Sequence, residues 1–226
     1  MTHEVRLGGG LTQKVVRVGD TVRRARRSNF EFVRALLGKL EASGFTQIPR
    51  WLGTDEKGRE IYSYVEGSVP HYLDRLHFDD TTLREAALLI RRYHDATAPF
   101  FEGGRVACHN DLSPCNFTFR DGVPSALIDF DSAAEGERIF DLGYAAWHWL
   151  NIGSRDAYAP EEQLRRLRVF AEGYGPEIEA GALIDAALLR QKLLMEARLP
   201  WNIRYQVRNM VRRSIKATLR LRDCVT

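Results

Sequence analysis

CHNDLSPCNFTFRDGVPSALIDFD, residues 108–131, holds the turn and the polar residues from which the fold can be read. Asp121-Gly122 between two apolar runs is a strong signal for a two-residue type I′ hairpin, because both central residues of that turn need positive φ. Such a turn sets a register in which Arg120 faces Val123, Phe119 faces Pro124, Thr118 faces Ser125, Phe117 faces Ala126 and Asn116 faces Leu127. Directly opposed residues share a face, as do residues two apart on one strand, so Asn116, Leu127 and Asp129 are expected to point the same way. Pro124 falls at a non-hydrogen-bonded pair, where its missing N–H is not needed. Asn116 and Asp129 then become diagonal neighbours at the open end of the hairpin, with Cβ atoms about 7 Å apart. An amide oxygen and a carboxylate converging from that distance suit a hard cation such as Mg²⁺, which takes oxygen ligands and keeps water and phosphate for the rest. Asp111 lies on the loop before the hairpin, free to approach the same end, and Leu127 is expected to pack.

The same stretch does not read as a metal-thiolate site. Cys108 and Cys115 are separated by six residues, not by the two to four of common zinc motifs, and no second pair is near. The three cysteines, Cys108, Cys115 and Cys224, have no framework spacing and fit a reducing compartment, with small buried apolar roles.

A chain of 226 residues that is 44% hydrophobic and 28% charged can bury a core without disulfides. MTHEVRLGGG lacks a secretory apolar segment and no apolar run approaches a membrane span, so the expected location is the cytoplasm, with no membrane partner. The net charge of +3 is unevenly spread: residues 1–50 carry 10 Lys and Arg against 4 Asp and Glu, residues 51–189 carry 13 against 24, and residues 190–226 carry 10 against 2. The basic C-terminal segment has apolar residues at helical spacing, the pattern of a solvated helix face, and no nucleic-acid partner is expected.

Along the chain, EVRL, TQKVVRV and TVRRARR read as strands, with a turn at Gly19-Asp20. EFVRALLGKLEASGF switches to helical spacing and ends near Gly44. IPRWLGTDEKG and REIYSYVEG read as two more strands. Beyond Gly67 the texture is mainly helical, with Pro160-Glu161-Glu162 as a helix start and LPWN as a break in a long C-terminal stretch. The expected fold class is α+β, with a lobe at residues 1–66 made of a small antiparallel sheet and one helix, and a larger, mainly helical lobe at residues 67–226.

HNDLSPCN followed by IDFD resembles the H-x-D-x-x-x-x-N loop and D-F-G-type segment of protein-kinase-like phosphotransferases. Together with LIRRYHDATAPF and FDLGYAAW, it is similar to the aminoglycoside phosphotransferase and choline kinase-like family, and within it to trifolitoxin immunity proteins. The resemblance covers most of the chain. It implies a two-lobed kinase-like fold in which ATP or GTP with Mg²⁺ binds between the lobes and a small molecule supplies the accepting hydroxyl.

Residue by residue, the resemblance makes Asp111 the catalytic base or hydroxyl-orienting group, with His109 organising its loop, and gives Mg²⁺ to Asn116 and Asp129. Asp141 either braces the loop or caps a helix. Gly8, Gly9 and Gly10 let backbone N–H groups approach phosphates. Arg24 stands where the family has a strand Lys, chosen over Arg23 because it shares a face with Val22, and Glu31 is available as its helix partner. Ser63 and Val65 match the backbone segment that contacts adenine. Trp147, Trp149 and Trp201 either line a substrate pocket or pack. The oligomeric state is left open.

Overall fold

The computed structural model describes residues 3–7, 15–71, 78–154 and 158–225. Strands β1 (Val5–Arg6), β2 (Val16–Val18), β3 (Thr21–Ala25), β4 (Trp51–Thr54) and β5 (Arg59–Ser63) form one antiparallel sheet in the order β1-β2-β3-β5-β4. Gly19 and Gly58 turn β2 into β3 and β4 into β5 at φ +58 and +72, a conformation that costs glycine no Cβ clash. Between β3 and β4 runs helix α1 (Phe30–Ala42), which buries Val33, Leu36, Leu37 and Leu40 at the spacing of a single apolar stripe.

The second half holds α2 (Asp80–Thr97), α3 (Arg138–Trp149), α4 (Pro160–Tyr174), α5 (Ala180–Glu196) and α6 (Trp201–Asp223). Asp79 caps α2 by accepting from the Thr82 amide at 2.7 Å. Pro160 opens α4 with Glu161 and Glu162 in its first turn, where acids oppose the helix dipole. At the α3–α5 contact Gly143 is required by space, since a Cβ there would lie 2.5 Å from the Ala186 carbonyl carbon. Two short pairs, β6 (Val106–Cys108) with β9 (Ala134–Gly136) and β7 (Phe117–Arg120) with β8 (Val123–Leu127), sit among these helices. One continuous apolar core runs from Leu37 and Leu40 of α1 through Tyr93 and Leu127 to Phe170 and Leu183.

The β7–β8 hairpin is bonded both by the segment that follows the sheet and by the first lobe. Ser68 and Phe119 exchange N–H···O bonds of 2.8 and 2.9 Å, and there Gly67, at φ +140, leaves no room for a Cβ. On the other side, Leu127 N donates to Gln47 O at 2.9 Å and Gln47 Nε2 donates to Ser125 O at 2.9 Å. Among the described residues no helix is long and apolar enough to cross a membrane.

Candidate active site

Asp141, in the first turn of α3, is fully buried and organises the loop after β6. Its carboxylate accepts from the amides of His109 at 2.7 Å and Asn110 at 2.8 Å, and His94 Nε2 lies 3.1 Å from Oδ2. His94 Nδ1 is 2.9 Å from the Tyr174 hydroxyl, so an imidazole donating from Nε2 and accepting at Nδ1 satisfies both contacts. Burial pushes the Asp141 carboxyl up, but His94, His109 and the donated bonds outweigh it and hold its pKa below the usual value. Asp141 therefore braces the loop, while the helix N-cap position belongs to Glu137. His109 is buried too, its Nε2 3.0 Å from Ile128 O and its ring 4.6 Å from that of Phe130. It ties the loop to the segment carrying Asp129.

The hairpin has the expected turn, with Asp121 and Gly122 at φ +51 and +78, but not the expected register. Arg120 faces Val123 and Phe119 faces Pro124; the ladder then slips by one, so that Thr118 faces Ala126 and Phe117 faces Leu127. Ser125 is the extra residue of a β-bulge. Its hydroxyl donates to Thr118 O at 3.1 Å, and its carbonyl is held by Gln47. Asn116, at the end of a 3₁₀ turn, is bonded across to Ile128, whose amide donates to Asn116 O at 2.9 Å. By strand alternation this slip would send Asp129 to the opposite face from Asn116. Asp129 instead takes a left-handed conformation, φ 65 and ψ 63, which ends the alternation, and both residues line one cavity. Leu127 packs in the core, fully buried.

That cavity, of about 380 Å³, lies between the sheet and the hairpin. Val15, Val22, Ser63 and Val65 line it from the sheet side, and Asn116 and Asp129 from the other. Arg24 crosses between them. Its Nη1 donates to Asp129 Oδ1 at 3.0 Å and its Nη2 bonds Asp131, which also accepts from Arg27 Nε at 2.6 Å. Burial works against the Arg24 charge, but Asp129 and Asp131 more than compensate, raising its pKa, while burial raises that of Asp131. Glu31 does not serve as the Arg24 partner; it sits on the exposed face of α1 and pairs with Arg34 at 2.9 Å.

Asn116 Nδ2 donates to Asp111 O at 2.8 Å, which leaves its amide oxygen as the free acceptor. With the half-exposed Asp129 carboxylate this is an all-oxygen donor pair suited to a hard cation such as Mg²⁺. Among the described residues no group of three or more His, Cys, Asp and Glu converges, so a cation here would draw its remaining ligands from phosphate and water. Arg24, Ser63, Val65, Asn116 and Asp129 thus share one cavity, with Asp111 one bond away from Asn116. His109 stands behind the loop and not on the cavity wall. Gly8, Gly9 and Gly10 lie outside the described residues.

Trp147 and Trp149 are packing residues, Trp149 donating from Nε1 to Leu112 O at 3.1 Å, while Trp201 is exposed. Cys108 is buried and its thiol pKa is pushed up by burial; Cys115 is half-buried on the cavity and Cys224 exposed. Three residues that touch the site are not among those the motifs assign: Asp131, bonded to Arg24; Tyr144, whose hydroxyl donates to Asp111 Oδ1 at 2.8 Å; and Arg190, whose Nη1 donates to Asn110 Oδ1 at 3.0 Å. The second acid of IDFD signals the first, and the one-turn spacing from Asp141 signals the second; Arg190 follows only from the α5 contact.

The chain belongs to the phosphotransferase enzyme family (APH), which matches residues 70–184. A trifolitoxin immunity protein from Rhizobium leguminosarum bv. trifolii is 32% identical over 212 aligned residues, covering 82% of this chain and 79% of that protein. Among solved structures, amicoumacin kinase hAmiN in complex with AMP-PNP, Ca²⁺ and Ami shares the fold at a TM-score of 0.68 and 12% identity, over 94% of this chain and 88% of that one. Choline kinase LicA from Streptococcus pneumoniae does so at 0.62 and 14%, over 96% and 93%. The streptomycin–ATP–APH(2")-IIa ternary complex matches at 0.58 and 16%, over 96% and 91%. The two-lobed kinase-like fold is common to this chain and these three solved structures.

Proposed function

We propose that the chain is a small-molecule kinase in which residues 1–66 carry the nucleotide and residues 67–226 carry the metal, the catalytic carboxylate and the acceptor. It transfers the γ-phosphoryl group of ATP or GTP to a hydroxyl of a small molecule, antibiotic-like or an amino alcohol. The observation that supports this best is the meeting of Arg24, Asn116 and Asp129 at one cavity, with Asp111 on the adjoining loop.

In this reading the backbone at Ser63 and Val65 receives the base, and the glycines at residues 8–10 and Arg24 receive the phosphates. Asn116 and Asp129 would hold Mg²⁺, which would supply charge neutralisation for the transferring phosphoryl group. Arg24, now paired with Asp129, would supply a bidentate cation for phosphate. Asp111 orients the acceptor hydroxyl and takes its proton as the new O–P bond forms and the bond to the nucleoside diphosphate breaks. His109 and Asp141 hold the loop in place. Because the chemistry depends on position and charge, these contacts account for most of what the protein must do.

The test is thermal unfolding with ATP or GTP, each with and without Mg²⁺, for the wild type and Asp129→Ala. A nucleotide at 100 times its Kd adds about 2.7 kcal/mol, roughly 5–10 °C for a chain of this size. Mg²⁺-dependent stabilisation that disappears in the variant is the expected result. No shift with either nucleotide in folded protein would instead favour a non-catalytic binding or immunity module. The closed Arg24–Asp129 ion pair and the trifolitoxin immunity relative give that second reading its support.

A further inference from the structure

Asp111 does not present two equivalent oxygens. Its Oδ1 accepts from the Tyr144 hydroxyl at 2.8 Å, with Ser113 Oγ at 3.4 Å, while Oδ2 takes no hydrogen bond from the described residues. Tyr144 follows Asp141 by one helical turn on α3, so the helix that braces the loop through Asp141 delivers the phenol to the loop's next residues. The phenol ring is itself fixed. His148 stacks on it at 4.2 Å and 28°, and the Arg190 guanidinium lies 4.8 Å from its centroid.

Arg190 also holds the residue before Asp111. It donates from Nη1 to Asn110 Oδ1 at 3.0 Å and from Nη2 to Asn110 O at 2.7 Å. Asn110 has φ 65, a left-handed conformation that Asn adopts more readily than most residues and that its contacts here constrain. Asp141 on its amide, Ser132 O accepting from its side chain at 3.0 Å, and Arg190 on both its oxygens supply that constraint.

We propose that Tyr144 is a positioning residue for Asp111: its hydroxyl fixes Oδ1 so that Oδ2 alone faces the acceptor hydroxyl, with Arg190 as the backing that holds both the phenol and the Asn110–Asp111 step. The proposal rests on the phosphotransferase reading above. Burial and the neighbouring Asp111 charge hold the Tyr144 phenol well above its ordinary range, so it remains a hydrogen-bond donor at working pH.

The experiment has two arms. In the first, Mg²⁺-dependent hydrolysis of ATP and GTP, with water as the acceptor, is measured for the wild type, Asp111→Asn and Tyr144→Phe, the last keeping the ring and losing only the hydroxyl. Tyr144→Phe should lower kcat by about 10-fold to 10²-fold and leave KM for the nucleotide unchanged, as expected for a misplaced reacting group. In the second, carbon-13 NMR of tyrosine labelled at Cζ is recorded without nucleotide, the Tyr144 resonance being assigned by its loss in Tyr144→Phe. In Asp111→Asn that resonance should move at neutral pH relative to the wild type, because the phenol loses its carboxylate acceptor. An unchanged Tyr144 resonance in the two proteins would overturn the contact, and with it the proposal, whatever the activity. Asp111-dependent hydrolysis that Tyr144→Phe leaves intact would overturn the positioning role alone. A wild type without Asp111-dependent turnover would remove the kinase reading and this role together, even with the contact seen by NMR.

Discussion

Two aspartates twelve residues apart, Asp129 and Asp141, have opposite surroundings. Asp141 is fully buried and its oxygens are claimed by two amides and an imidazole, all from its own chain. Asp129 has a side chain 46% exposed, a left-handed backbone and, among the described residues, one side-chain partner, Arg24, reaching from the sheet across the cavity. A carboxylate whose acceptor sites are filled internally belongs to the frame. One left with open oxygens at the rim of a cavity is available to a ligand, and its single internal bond is one that a ligand can replace.

The comparison breaks most readily at Asp141. Asp141→Ala leaves two buried amides and His94 without an acceptor, and urea unfolding should show a loss of about 3–5 kcal/mol. A loss under about 1 kcal/mol would mean that the brace is not what holds the loop. Acid sharpens the same point. The Asp141 pKa in the folded chain lies below the usual 3.8, so its stabilisation is fully present above that value and is lost as pH falls through the depressed folded one. Below pH 3.8, stability against pH should be shallower in Asp141→Asn by up to about 1.4 kcal/mol per pH unit. The smallest effect belongs to Asp129. Without ligand, Asp129→Ala should change stability by less than about 1 kcal/mol in the same urea experiment, because the side chain is half-exposed and Arg24 keeps Asp131. A loss as large as that of Asp141→Ala would erase the distinction.

Much of the frame is legible from local pattern. The strands and helices follow from apolar spacing and from Gly, Pro and Asp at the turns and caps, and Asp121-Gly122 announces its own hairpin. The register beyond that turn is not legible, because the bulged Ser125 bonds through its carbonyl to Gln47, 78 residues away in the chain, where no local pattern reaches. Simple alternation pairs Asn116 with Asp129, and two features alter its geometry: a one-residue slip, and a left-handed residue that returns both side chains to one cavity. Alternation puts Arg24 on the same strand face as Val22, but its partners come from across the cavity, where no spacing rule reaches. Glu31 was the nearest candidate along the chain and faces solvent instead.

Ser68 bonds Phe119, and Gln47 bonds Ser125 and Leu127, so both sets of contacts fall on the β7–β8 hairpin. The hairpin is thus clamped on both of its strands, at Phe119 of β7 and at Leu127 of β8, and the turn carrying Asn116 is anchored by a main-chain bond from Ile128, outside its own loop. Hydrogen exchange should find the amides of Phe119 and Leu127, the donors in that clamp, strongly protected.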